Sequence, residues 1–95
     1  MPFSFDLSDE LKVKIRVLAK KDKKTAEIIN KKIKQIANSD GTTIEHYKNL
    51  RYELKEYKRA HISKSFVLMF KVFKKENFIL FDRFDHHDNI YKKRK

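Results

Sequence analysis

The chain contains no cysteine, one proline and one glycine. The absence of cysteine excludes disulfides and thiolate metal sites. No apolar run approaches the roughly 20 residues that a membrane-spanning helix requires, and the longest, Phe66–Phe70, suits a buried strand. The first residues, MPFSFDLSDEL, lack the basic stretch and apolar run of a secretory signal peptide. We therefore expect a soluble, intracellular protein of the cytoplasm.

Acidic residues are also scarce relative to basic ones. The chain has 13 Asp and Glu against 24 Lys and Arg, a formal net charge of +11. A positive excess of this size usually indicates a polyanionic partner: nucleic acid, an acidic protein or an anionic membrane. At 95 residues we expect one domain, at residues 1–91, followed by a basic tail at 92–95.

Apolar spacing predicts a strand and two helices in the first part of the chain. Alternation over Phe3–Leu7 indicates a short, half-buried strand. Ser8 can cap a helix that runs to about Lys20, and Asp22 can cap a second helix. The inner stripe of the second helix consists of Ala26, Ile29, Ile33 and Ile36.

The rest of the chain is predicted to be mainly strand. Asn38–Gly41 ends the second helix, with Gly41 in a left-handed position, and Thr42–Asn49 reads as a loop. Period-two alternation then predicts three strands: Tyr52–Ile62, Phe66–Phe73 and Asn77–Phe84. A tight turn at Lys74–Asn77 is predicted between the last two strands. The order β-α-α-β-β-β predicts an α+β fold, an antiparallel sheet with an αα-hairpin on one face and the other face open.

Alternation along the first of these strands separates a core side from an open side. Ala60 and Ile62 fall on the side expected to meet the helices, while Tyr57, Arg59 and His61 fall on the other. The sequence thus predicts His61 on the open face, beside a cation.

The segment RFDHHDNIY, at 83–91, follows the last predicted strand and carries several metal-ligand types. Asp85, His86, His87 and Asp88 suit zinc or manganese. Adjacent strand residues diverge, however, and no second spaced His or Cys pair supports a site, so we predict no metal. If the segment is extended, His86 points away from His87 and is a structural or surface residue. His46, in the predicted loop, is expected to be only solvated.

The stretch YKRAHISKSFVLMFKV followed by DRFDHHDNIY resembles the RelE superfamily of toxin–antitoxin mRNA interferases, in particular the YafQ-like branch. That branch has a Tyr-Arg-x-x-His strand, a short turn, a hydrophobic strand, and a histidine four residues before a terminal aromatic. The matching elements here are Tyr57–His61, Phe66–Val72, His87 and Tyr91. The predicted element order agrees with the compact RelE fold.

This resemblance implies a toxin that cleaves mRNA in the ribosomal A site, without metal or cofactor. In the family reaction a ribose 2′-oxygen attacks the adjacent phosphate and leaves a cyclic phosphate and a free 5′-hydroxyl. The implied partners are mRNA on the ribosome, ribosomal RNA and a small acidic antitoxin, with no membrane.

By the resemblance, His87 is the general acid, His61 the base or a phosphate ligand, and Tyr91 a platform for an unpaired base. A histidine can carry either proton transfer near neutral pH. The chain departs from the branch at Lys48, where a histidine is common, and at Ser65, where an aspartate is common. The candidate cations around the phosphate are Lys48, Arg59, Lys64 and Arg83.

Two other functions remain open at this point. A ParE-like relative of the same fold would inhibit DNA gyrase without cutting RNA. A basic RNA-binding module would bind RNA with strong salt dependence and leave it intact.

Overall fold

The computed structural model describes residues 3–50 and 55–90. Tyr91 and the predicted tail at 92–95 lie outside these ranges. Among the helices described, none is long and apolar enough to cross a membrane. The described elements, in chain order, are β1 (Ser4–Leu7), α1 (Asp9–Lys21), α2 (Lys23–Ala37), α3 (Gly41–Ile44), β2 (Lys58–Ile62), β3 (Phe66–Phe73), β4 (Phe78–His86) and α4 (His87–Ile90).

The four described strands form one mixed sheet in the order β1-β4-β3-β2. Strand β3 is antiparallel to both β2 and β4, as predicted. Strand β1 runs parallel to β4, with Ser4 opposite Phe78 and Leu7 opposite Phe81, so the expectation of a fully antiparallel sheet is wrong at this edge. A helical hairpin rather than a tight turn follows β1, and parallel pairing requires a long connection of this kind. The predicted α+β class is confirmed.

Both predicted helix caps are confirmed. The Ser8 hydroxyl accepts the Leu11 N–H at 3.1 Å, and the Asp22 carboxylate accepts the Thr25 N–H at 3.2 Å. The Ser8 hydroxyl also donates to the Asp82 carbonyl at 2.6 Å. This second bond fastens the start of α1 to β4.

The main apolar core lies between the helices and one face of the sheet. The predicted inner stripe of α2 is buried there, and burial of a large apolar side chain contributes about 1.5–3 kcal/mol. Across the layers, Leu11, Ile29, Ile33, Ile36 and Ile44 pack with Ala60, Ile62, Leu68, Phe70, Ile79, Phe81 and Phe84. This core fixes α2 and α3 next to β2.

The segment after α2 differs from its prediction. Gly41–Ile44 form a helical turn where a loop was expected, because the Asp40 carboxylate caps it by accepting the Thr43 N–H at 2.7 Å. Gly41 is the first residue of that turn and has no positive φ. The prediction of a left-handed Gly41 is therefore wrong.

Left-handed backbone occurs at the two turns between strands. Ser63, between β2 and β3, has φ of 59°, and Asn77, between β3 and β4, has φ of 54°. The predicted turn at Lys74–Asn77 is confirmed. Asn77 suits it because asparagine tolerates positive φ better than most residues.

Two strand boundaries also differ. The predicted strand from Tyr52 lies partly outside the described residues, and β2 begins only at Lys58. Before it, residues 55–56 form a turn, and the Leu50 N–H donates to the Tyr57 carbonyl at 2.9 Å, so these two residues lie next to each other. At the other end of the sheet, β4 continues to His86, two residues beyond the prediction.

The second sheet face is partly covered rather than open. Val67 and Met69 of β3 are buried there beneath Leu50 and Ile90, with Tyr57 packed against them. The turn α4 folds back over this face and brings Ile90 into the cluster. Among the described residues, this cluster therefore covers part of the face that was expected to be open.

Candidate functional site

The side-chain alternation predicted for β2 is confirmed. Ala60 and Ile62 are buried in the main core, His61 is exposed, and Arg59 is half-buried on the same side as His61. Since β2 is the last strand in the sheet order, Arg59 and His61 lie at an edge of the sheet.

A cleft of about 390 Å³ lies beside β2, and we call it the edge cleft. It brings together three predicted site residues: Lys48, Arg59 and His61. None of the described residues that line it is acidic. Its full lining is Lys32 from α2, His46, Tyr47 and Lys48 from the segment after α3, and Arg59, Ala60 and His61 from β2.

The edge cleft also contains residues that sequence reasoning missed. His46 was expected to be only solvated, but it shares the cleft with His61. Lys32 of α2, which the sequence analysis did not single out, contributes to the same lining. His46 follows the helical turn α3, for which Asp40 was an available local signal that the sequence analysis did not use.

A buried lysine supports the wall that contains His46 and Lys48. The Lys58 ammonium donates to the Tyr47 carbonyl at 3.0 Å and to the Asn49 side-chain oxygen at 3.1 Å. Burial lowers the pKa of Lys58. The Arg59 N–H donates to the Lys48 carbonyl at 3.0 Å, so backbone and side-chain bonds together hold this wall against β2.

The second histidine site is the segment from Arg83 to Asn89, and we call it the β4–α4 junction. The Asp85 carboxylate organises it by accepting the His86 N–H at 2.7 Å and the Asn89 side-chain amide at 2.9 Å. Burial acts to raise the pKa of Asp85. The two hydrogen bonds, the charge of Lys14 and the Arg83 guanidinium outweigh burial and hold this pKa below its ordinary value. The His87 N–H donates to the Ser65 carbonyl at 2.7 Å. These bonds fix the backbone on both sides of the two histidines.

The rings of His86 and His87 do not diverge as predicted. They stack with centroids 4.7 Å apart and an interplanar angle of 28°. The expectation of divergence is wrong because the strand ends at His86 and a helical turn begins at His87. The side chain of His87 is 43% exposed, which leaves it accessible to a ligand.

Asp88 lies beside both rings. Its carboxylate is 3.1 Å from Nδ1 of His87 and 3.6 Å from Nδ1 of His86. Ligand atoms of all three residues lie within 4.8 Å of one another, so this local geometry is closer to a metal site than the sequence suggested. Nδ1 of His86, however, already accepts the Asp88 N–H at 3.1 Å. The prediction of no metal remains a prediction.

Strand register relates the two histidine sites. His61 pairs with Val67, and Val67 pairs with Asp85, so these residues form one row across the sheet. With adjacent strands about 4.7–4.9 Å apart, the backbone of His61 lies about 10 Å from that of Asp85. His87, two residues beyond Asp85, is at the same end of the sheet but is not among the residues that line the edge cleft.

The other predicted cations are placed differently. Arg83 lies between two carboxylates, 3.3 Å from Asp85 and 3.9 Å from Glu10, rather than in the edge cleft. Lys64 is exposed in the turn between β2 and β3. Tyr91 is not among the described residues, so its predicted role as a stacking platform stays a prediction.

Comparison with known proteins gives a consistent family assignment. No family model matches the chain. It is 43% identical over 93 residues to a toxin-family protein of Methanocaldococcus jannaschii named RelE4, covering 98% of this chain and 95% of that one. It is 39% identical over 85 residues to a Methanosarcina mazei protein with no assigned function, covering 90% and 94%.

Solved structures share the fold at low identity. The RelBE2 toxin–antitoxin complex of Mycobacterium tuberculosis contains a chain that matches with a TM-score of 0.74 at 14% identity, covering 90% of this chain and 92% of that one. The Helicobacter pylori protein HP0892 matches with a TM-score of 0.56 at 17% identity, covering 93% and 98%. With the near full-length identity to the M. jannaschii protein, these likenesses lead to one conclusion: the chain belongs to the RelE family of toxins.

Proposed function

We propose that this chain is the toxin of a toxin–antitoxin pair and that it cleaves mRNA on the ribosome. The observation that carries the proposal is the convergence of His61, Lys48 and Arg59 in one cleft without an acidic lining residue among those described. An accessible His87, which directly follows β4, the next strand but one from β2, supplements it. Imidazoles and fixed cations are what cleavage of RNA through its own 2′-hydroxyl requires.

The proposed reaction needs no external nucleophile and no metal. A base removes the proton of a ribose 2′-hydroxyl, and the 2′-oxygen attacks the adjacent phosphorus. The bond from phosphorus to the 5′-oxygen then breaks, and that oxygen takes a proton from His87. The products are a 2′,3′-cyclic phosphate and a free 5′-hydroxyl. His61 acts as the base or holds the phosphate, and each proton transfer is typically worth about 10²–10⁴ in rate.

Cations stabilise the extra negative charge in this scheme. Lys48 and Arg59 line the edge cleft and are the first candidates. In this scheme we assign Lys48 to stabilisation of the phosphate, beside Arg59, rather than to removal of the 2′-hydroxyl proton. Lys64 and Arg83 contact more distant phosphates, and Tyr91 stacks on a base, a contact worth about 1–3 kcal/mol.

Charge supports the proposed partners. A net charge of +11 favours ribosomal RNA and mRNA, with an affinity that falls as salt rises. The same charge suits an acidic antitoxin, and the M. tuberculosis structure of similar fold is a toxin–antitoxin complex. Because the proposed target is the ribosome, we place the protein in the cytoplasm.

The test is His87→Ala, with His86→Ala as the matched control. We expect His87→Ala to reduce mRNA cleavage about 10²–10⁴-fold, because the leaving oxygen loses its proton donor. Primer extension on translated mRNA after brief expression measures cleavage, growth arrest gives a second readout, and circular dichroism checks folding. His86→Ala should keep most of the activity.

Two results would contradict the proposal. One is full cleavage by a folded His87→Ala variant. The other is wild-type protein that blocks supercoiling by DNA gyrase and leaves mRNA intact, which would assign the gyrase alternative.

A further inference from the structure

Among the lining residues of the edge cleft that the proposed reaction does not use, Lys32 and His46 have basic side chains. Lys32 lies in α2 and His46 lies just after α3, whereas Arg59 and His61 lie in β2. The cleft therefore has walls from three separate segments, each of which contributes a lysine, an arginine or a histidine. A group bound in it would meet two imidazoles from different walls.

We propose that the edge cleft holds the phosphate of one nucleotide of single-stranded RNA, and that Lys32 and His46 contact this phosphate together with Arg59 and His61. The identity of the ligand as RNA rests on the proposed function. The assignment of Lys32 and His46 to a phosphate site rests on the geometry of the cleft itself.

The electrostatics of the cleft favour an anion. Lys32, Lys48 and Arg59 supply positive charge, and no described lining residue is acidic. Glu45, the neighbour of His46 in the chain, forms ion pairs with Lys58 and Lys74 instead. A concave site lined by charge of one sign concentrates the field and raises the local concentration of a phosphate ligand.

The size of the cleft fits a small ligand. At about 390 Å³ it lies near the lower end of the range of about 300–1,000 Å³ that small-molecule sites occupy. This volume suits one nucleotide rather than a duplex segment, and it agrees with recognition of an unpaired strand.

The backbone around His46 is held before any ligand binds. The His46 N–H donates to the Thr43 carbonyl at 3.0 Å, and the Tyr47 carbonyl accepts from the Lys58 ammonium. The Tyr47 ring packs edge-on against Phe70, with centroids 5.5 Å apart, which ties this wall to the main core. A preorganised wall lowers the entropic cost of binding.

The first experiment follows histidine ring signals by NMR in the full chain. Inorganic phosphate is titrated first and a nucleoside 3′-monophosphate second. We expect the signals of His46 and His61 to move together with one dissociation constant, and the signal of His86 to stay in place. Movement of His61 alone would overturn the role of His46, and movement of neither would overturn the phosphate site.

The second experiment uses matched variants. Lys32→Ala should weaken binding of an uncut, 2′-deoxy-substituted RNA and reduce the slope of log affinity against log salt by about 0.7, the value for one phosphate contact on a single strand. Lys31→Ala removes the same charge from the next residue of α2, which is exposed and outside the cleft lining, and should change the slope less. Equal effects of the two variants would reduce Lys32 to a general surface charge and overturn its assignment.

His46→Gln completes the set. It should weaken binding of the nucleoside 3′-monophosphate several-fold and lower mRNA cleavage, while circular dichroism stays unchanged. Because phosphate binding is measured without cleavage, the two hypotheses fail separately. If phosphate binds at His46 but the protein cleaves no RNA, the proposed reaction is contradicted and the phosphate site remains. If the protein cleaves RNA but His46→Gln does not change phosphate binding, the role of His46 is contradicted and the proposed reaction remains.

Discussion

The edge cleft draws its residues from three distant parts of the chain, whereas the β4–α4 junction consists of consecutive residues. In the cleft, α2, the segment after α3 and β2 meet because the main core fixes their positions. In the junction, Asp85 binds its neighbours His86 and Asn89 through local hydrogen bonds. The cleft thus depends on tertiary packing. In the junction the bonds of Asp85 are local, and the His87 N–H adds a bond to the Ser65 carbonyl of a separate segment.

This difference has consequences for stability. A change that loosens the cleft wall must disturb contacts between segments that are far apart in the chain. A change at the junction can let one helical turn fray while the sheet persists, since local openings cost less than global unfolding. The two histidine sites should therefore respond differently when a central hydrogen-bonding group is removed. That group is Lys58, which supports the wall of the cleft, or Asp85, which lies in the junction.

The largest effect is expected from Lys58→Ala. The change leaves the Tyr47 carbonyl and the Asn49 side chain without their donor and removes buried methylene groups. Since hydrogen bonds to charged groups contribute ~1.5–3 kcal/mol, we expect the free energy of unfolding to fall by about 2 kcal/mol. Urea denaturation measures this change, and phosphate binding should weaken in parallel.

Lys58→Met is the control for packing. Methionine retains an apolar chain of similar length and lacks the ammonium. It should recover part of the lost stability and still bind phosphate more weakly than wild type. If Lys58→Ala binds phosphate and unfolds like wild type, the cleft wall does not depend on this lysine.

A smaller effect is expected from Asp85→Ala at the junction. The lost bonds to His86 and Asn89 are local and partly exposed, so the free energy of unfolding at neutral pH should fall by about 1 kcal/mol. The folded-state pKa of Asp85 lies below the ordinary value of 3.8. Its contribution is therefore fully present above that value and is lost as pH falls through the lower, folded-state pKa.

Urea unfolding of wild type and Asp85→Ala across a pH series measures this dependence. The difference between the two proteins should be constant from neutral pH down to about pH 5 and should shrink in strong acid. A difference that grows as pH falls would show that Asp85 is not stabilised as a carboxylate. In this variant the rate of mRNA cleavage, which depends on His87, should fall more than the affinity for phosphate, which depends on His61.

Features set by short-range patterns could be predicted from the sequence. The exposure of His61 and the burial of Ala60 follow from period-two alternation, which holds even though the strand begins at Lys58 rather than Tyr52. Ser8 and Asp22 cap their helices because a cap requires only the next three residues. These local rules, with the family resemblance, were enough for the fold class. The site predicted from them included Lys48, Arg59 and His61, which share the edge cleft, but also His87, Lys64 and Arg83, which do not line it.

Features that depend on distant contacts could not be predicted. The place of His46 in the cleft depends on the packing of α3 in the main core and on the buried Lys58 of β2. The stacking of His86 on His87 depends on where β4 ends, and that end is fixed partly by the bond from the His87 N–H to the Ser65 carbonyl. Asp40 is a local signal for α3, but neither the bond from Lys58 to the Tyr47 carbonyl nor the bond from His87 to the Ser65 carbonyl has a signature in the local sequence.

The smallest effects come from one substitution made in both regions, asparagine to alanine. Asn49 accepts from Lys58 and donates to the Lys55 carbonyl, so Asn49→Ala should lower the free energy of unfolding by about 1 kcal/mol. Asn89 donates only to Asp85 among the bonds described for it, and Asn89→Ala should lower it by about 0.5 kcal/mol. Denaturation midpoints of the two variants, measured side by side, test the order. If Asn89→Ala proves the more damaging, the expected order is wrong and the junction contributes more to stability than its local bonds indicate.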